Sequence, residues 1–113
     1  MYTVIRSVDL ELRPGGTVKF EGAPYNSGAS FFHVKAEPGM GSALHKHPYP
    51  ETWIVLTGKV RFTVGQENIE ANPGDIVVAG QEVPHKFKNI GTEQLEIIGI
   101  HPSPRIIQEL IEE

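Results

Sequence analysis

Two histidines two residues apart, His45 and His47, are followed by a carboxylate, Glu51, with Pro48 and Pro50 between them. On an extended strand, residues i and i+2 point to the same face, so both imidazoles can be aimed at one spot. The prolines break that strand, and Glu51 opens the next one close by. Two nitrogens and a carboxylate oxygen meeting at one point outline a site for a first-row metal. His85, which opens a later strand after a proline-containing loop, is the candidate for a fourth ligand. Such a centre suits one divalent ion of Fe, Mn, Ni, Zn or Cu per chain and keeps one or two positions open. It could polarise a bound carbonyl or enediol, or, with a redox-active ion, bring O2 to a chelated substrate.

The elements that must hold these residues read as strands. Gly and Pro, 12 and 9 of 113 residues, punctuate the chain at the spacing of short strands in sandwiches and barrels. Tyr2 to Val8 and Thr17 to Phe20 read as strands within an N-terminal arm, residues 1–20. Ser30 to Ala36, Val60 to Val64, His85 to Asn89 and Leu95 to Ile100 read as further strands, and Thr52-Trp53-Ile54-Val55-Leu56 as one buried on both sides. Ile76 to Ala79 also reads as a buried strand. The tail is different: Ser103 and Pro104 make a helix start, and Ile106, Ile107, Leu110 and Ile111 fall on one helical face. A short α-helix is therefore expected over about residues 104–112, docked on the barrel or on a second copy.

The bulk composition narrows the function classes. At 113 residues the chain is the size of one domain, with no internal repeat. The net charge is -4 with no basic block, which argues against nucleic acid as a partner. No cysteine is present, so thiolate ligands, disulfides and a cysteine nucleophile are excluded. No signal peptide or membrane span is visible, and a soluble cytoplasmic protein is the expectation. A homodimer is expected, because the β faces, the N-terminal strand and the apolar tail all need covering.

The pattern from Gly39 to Gly58, G-x5-H-x-H-x3-E-x6-G, matches the first cupin motif at every position, and Gly74 to Asn89, G-x10-H-x3-N, resembles the second. On these two motifs the sequence resembles a cupin, and its ending His101-Pro-Ser-Pro-Arg105 resembles that of the small, single-domain, bacterial type. The resemblance implies an all-β fold, the cupin jelly-roll or double-stranded β-helix barrel, over about residues 28–101 of a single domain 1–113. It also implies a metal held inside by His45, His47, Glu51 and His85. One departure stands out: where the second motif usually has proline and glycine, this chain has Gly80 and Glu82. Glu82 is then expected either to adopt a positive φ or to re-route the loop, with Gly80 as a neighbouring source of freedom.

Other polar residues have plainer readings. His33, on the strand before the first motif, is the one candidate for a catalytic acid or base, if it faces the pocket. His101 is expected at the rim or an interface, and Arg61 and Arg105 at the surface. Trp53, Phe62 and Phe87 have the parity to line a barrel interior, and Tyr25 and Tyr49 fall in loops near its mouth. The functional expectation is a small metal-dependent enzyme, dioxygenase-like or of the Lewis-acid isomerase type, acting on a small chelating substrate. The alternative is a metal-containing cupin that binds or senses a small molecule without turnover.

Overall fold

The computed structural model describes residues 1–113. Ten strands form two five-stranded antiparallel sheets. The first sheet has the order β1 (Val18–Phe20), β2 (Ser30–Ala36), β9 (Leu95–His101), β4 (Glu51–Thr57), β7 (Ile76–Ala79). The second has the order β10 (Glu109–Leu110), β3 (His45–Lys46), β8 (His85–Asn89), β5 (Val60–Val64), β6 (Glu67–Ala71). The two sheets face each other, and alternation along each strand decides what lies between them. From β4 the inward line is Glu51, Trp53, Val55; from β9 it is Leu95, Ile97, Gly99, His101. Both lines run from apolar to polar along the barrel. The core therefore fills one end, with Val55, Val60, Phe62, Ala71, Leu95 and Ile97 fully buried, and polar groups gather at the other. Trp53 sits at the boundary, its ring 4.8 Å from that of Phe62.

β4, expected to be buried on both sides, and β7, expected to be buried, have one buried face each. Leu56 on β4 and Ile76 and Val78 on β7 are exposed, because β7 is a sheet edge and nothing covers its outer face. Asn89, which closes the second motif, is buried with both amide protons and its oxygen engaged. Its amide donates to the carbonyls of Ala36 and Glu93 at 2.9 Å each, and its Oδ1 accepts from the Gly91 amide at 2.8 Å. It thereby ties the end of β8 to the end of β2 and to the turn before β9.

Both termini depart from the sequence expectation. Tyr2 to Val8 forms no strand: Ser7–Asp9 is a single 3-10 turn, and the arm lies largely exposed. The C-terminal helix is absent as well. Residues 104–108 run as an irregular strap whose main chain is engaged by other parts of the fold. Ile106 N–H donates to the Glu21 carboxylate at 2.8 Å and Ile107 N–H to the Tyr49 hydroxyl at 3.0 Å. Glu109–Leu110 then pairs with His45–Lys46 as β10, and Ile111 N–H donates to Leu44 O. About ten residues make too weak a helix alone to compete with these bonds. No helix of the structure is long and apolar enough to cross a membrane.

Candidate metal centre

His45 and His47 reach the barrel interior from β3 and the residue after it, where Pro48 and Pro50 turn the chain into β4. His85 lies opposite His45 in the β3–β8 ladder, and Glu51 enters from the other sheet. The four side chains converge: one ligand atom from each lies within 4.8 Å of all the others. His47, His85 and Glu51 are 1%, 1% and 4% exposed, and His45 is half-buried towards the mouth.

Hydrogen bonds to main-chain carbonyls set the tautomers. His45 Nδ1 donates to Ala43 O at 2.7 Å, His47 Nδ1 to Ile107 O at 2.7 Å, and His85 Nδ1 to Val83 O at 3.0 Å. A carbonyl can only accept, so each neutral ring carries its proton on Nδ1 and presents a lone pair at Nε2. Those lone pairs face a carboxylate: Glu51 Oε1 is 3.0 Å from His47 Nε2 and 3.2 Å from His85 Nε2. Acceptors facing acceptors in a buried site repel unless a cation lies among them. The donor set, three imidazole nitrogens and one carboxylate oxygen, fits a divalent transition ion.

The titration behaviour points the same way. Burial pushes the Glu51 carboxyl up, but the imidazoles that lower it, with the contact to His101 foremost, outweigh burial and hold it well below the usual carboxylate range. For His45, burial lowers the pKa below the ordinary 6.5, and the neighbouring His85 and His47 lower it further against the pull of the Ala43 carbonyl. Both folded values are depressed, so the unfolded chain binds more protons over this range. The stability from His45 is present above about pH 6.5 and lost as pH falls below it, and that from Glu51 is lost at still lower pH. Since a metal needs neutral imidazole, affinity falls in the same direction. Dialysis of loaded protein at pH of about 7.5 and about 5 is expected to leave metal bound only at the higher value. Full retention at the lower one would contradict this.

Beside the cluster opens a cavity of about 620 Å³ whose walls include Phe32, Val34, Trp53 and Phe87, with Arg13 at its edge. The Arg13 guanidinium lies over the Phe32 ring, 5.8 Å from its centroid. Arg13 belongs to an exposed Arg-Pro-Gly-Gly turn far from both motifs, and no sequence pattern pointed to it. Arg61 and Arg105 are exposed, as expected. His33 does not line the cavity. On β2 it is Phe32 and Val34 that face inward, and His33 lies on the other side with its Nε2 2.7 Å from Glu96 Oε1. His101 departs in the opposite sense: expected at the rim, it is 0% exposed and its Nε2 stands 3.2 Å from Glu51 Oε2. The signal was its parity with Leu95 and Ile97 on the last strand. Tyr49, placed in a loop, stacks on the His47 ring at 5.1 Å and 5°. In the second motif Glu82 takes the positive φ, +61°, while Gly80 does not. Its N–H donates to His47 O at 2.7 Å and its carboxylate reaches Lys46 at 3.1 Å, so the re-shaped loop braces the ligand strand.

The sequence profile of the family described as "Cupin domain" matches residues 32–101. The uncharacterized protein MJ1618 of Methanocaldococcus jannaschii is 34% identical over 61 residues, covering 53% of this chain and 49% of that protein. The chain thus spans about half the length of the curated relative it matches. Among solved structures, an uncharacterized conserved protein with a double-stranded β-helix domain from Klebsiella pneumoniae superposes with a TM-score of 0.76 at 24% identity, covering 99% of this chain and 100% of that one. The oxalate decarboxylase of Bacillus subtilis, studied for its Mn(II) centres, superposes with a TM-score of 0.79 at 23% identity, over 89% of this chain and 29% of that one. At these identities the likeness is one of fold.

Proposed function

The chain belongs to the cupin family, and from that membership we propose that it is a small metal-dependent enzyme acting on a small chelating substrate. The observation that carries the proposal is the set of three imidazoles, each held by an Nδ1–H bond, with their Nε2 atoms turned towards Glu51. In this reading His45, His47, Glu51 and His85 hold one divalent ion. A bound ion would supply Lewis-acid polarisation of a substrate oxygen or, if redox-active, a place for O2. The chain's own residues do the rest. Trp53, Phe87 and Val34 exclude water from the reacting end of the cavity, and the carbonyls of Ala43, Val83 and Ile107 keep the imidazoles in their ligating tautomer. The cavity volume of about 620 Å³ suits a small molecule.

Manganese is the first ion to test, because the Bacillus subtilis decarboxylase of the same fold carries Mn(II) centres. Metal analysis of protein purified without added metal, then reconstitution with Mn(II), Fe(II), Ni(II), Cu(II) or Zn(II), is expected to give one ion per chain. O2 uptake with diketones and small carboxylates follows on the loaded protein. Uptake supports an oxygenase, and turnover without uptake supports Lewis-acid chemistry. Ligand binding with neither would make the protein a binding module, and failure to bind any ion overturns the proposal. The proposal extends to a homodimer, supported by the exposed apolar residues Tyr2, Val8, Ile76 and Val78. A sedimentation mass near that of one 12.5 kDa chain would refute the dimer.

A further inference from the structure

Two polar side chains beside the cluster have no part in holding the ion. His101 is fully buried, and Tyr49 is half-buried between it and the strap. Their hydrogen bonds, together with the carboxylate that stands in front of His101 Nε2, favour one arrangement of protons. Ile107 N–H donates to the Tyr49 oxygen at 3.0 Å. The phenol's own proton then goes to the ring nitrogen in front of it, His101 Nδ1, at 2.6 Å. An imidazole that accepts at Nδ1 carries its proton on Nε2. His101 Nε2–H has no well-aligned hydrogen-bond partner, and Glu51 Oε2, 3.2 Å away, is the acceptor it faces. His101 is therefore the reverse tautomer of the three ligand histidines: they show lone pairs to the centre, and it shows a proton.

Resting on the metal centre proposed above, we infer that Tyr49 and His101 are positioning residues that fix Glu51 as a one-oxygen ligand. Their line of donors runs from the Ile107 amide through the phenol and the imidazole to Oε2. Oε2 faces His101 Nε2 at 3.2 Å, and only Oε1 is turned to His47 and His85. A carboxylate free to rotate would close both oxygens on the ion and occupy a position that substrate needs. Partners of this kind, one bond removed from the ligand, typically change metal affinity about 10–100-fold when lost.

The test has one readout that needs no metal. Long-range 15N–1H NMR of the metal-free protein is expected to find His101 protonated at Nε2, and His45, His47 and His85 at Nδ1. Titration with Co(II) alone, followed by its visible spectrum, supplies the second. Tyr49→Phe and His101→Leu are expected to weaken Co(II) binding about 10–100-fold and to alter the spectrum as the second oxygen binds. His101→Gln, whose amide N–H can replace the lost donor, is expected to stay within a few-fold of the parent. His101 protonated at Nδ1, or Co(II) affinity and spectrum unchanged in Tyr49→Phe, overturns the inference while the parent still binds metal. Failure of the parent itself to bind Co(II), Mn(II) or any of the other ions overturns the metal centre and this inference together.

Discussion

Replacing His47 or His85 with alanine is expected to abolish stoichiometric metal binding and to leave a folded barrel. Each ring contributes one Nε2 to the cluster and is 1% exposed, so water cannot reach the vacated position as freely as it would at the mouth. Binding energies of about 10–16 kcal/mol for four-ligand structural zinc put a single ligand at roughly 3 kcal/mol, or about a hundredfold in affinity. Folding suffers less. In the metal-free protein the lost ring also removes a lone pair that faced Glu51 Oε1, which offsets part of the packing lost against Tyr49 or Trp53. The apolar core at the other end of the barrel is untouched. Metal per chain measured by plasma emission, with far-ultraviolet circular dichroism on the same sample, separates the two effects. Full occupancy in either variant would show the ligand assignment to be wrong.

The second large effect is expected from a residue with no side chain. Gly99 lies on β9 opposite Trp53 of β4, and a Cβ added there would meet Glu51 Oε2 at 2.3 Å and Trp53 Cδ1 and Nε1 at 3.0 Å. The tryptophan is locked in the core and cannot retreat, so the carboxylate must. Overpacking of this kind costs about 1–3 kcal/mol. For a chain of this size that lowers the melting temperature by roughly 4 °C per kcal/mol. Gly99→Ala is therefore expected to melt several degrees below the parent and to lose metal affinity as Glu51 is displaced from His101 and from the cluster. Gly28→Ala is the control, since a Cβ there meets nothing within 4 Å. Equal melting temperatures and equal metal content in the two variants would contradict the close packing at Gly99.

What could be read from the sequence was what local spacing encodes. His45 and His47 share a face because strands repeat every two residues. The Pro48–Pro50 break puts Glu51 within reach, and two spaced motifs give His85 as a companion. His101 obeys the same period with Leu95 and Ile97, yet a lone histidine ending a strand has no neighbour in sequence to suggest a cluster. Its partner Tyr49 comes from a loop in a distant part of the chain, and only the closed barrel brings the two rings to 5.4 Å. The tail failed for a different reason. Ile106, Ile107, Leu110 and Ile111 have helical spacing, but the main-chain groups a helix would use are taken by Glu21, Tyr49, His47 and Leu44. Tertiary partners outbid a marginal helix, and nothing local records that they exist. The outer faces of β4 and β7 misled in the same way: an unbroken apolar run does not say whether a second layer will cover it.

The strap's contribution at residue 107 is made with main-chain atoms alone. Ile107 C=O holds the ring of His47 and its N–H holds Tyr49, while its side chain is 52% exposed. Any residue except proline offers the same two atoms, so the identity at 107 is nearly free to drift. What is constrained is chain length. Between β9 and β10 the path must deliver one particular peptide group to one place, and a single inserted or deleted residue would present the wrong one. This part of the centre is written in spacing along the tail and leaves almost no trace in composition, so substitution scanning would pass over it and indel scanning would find it.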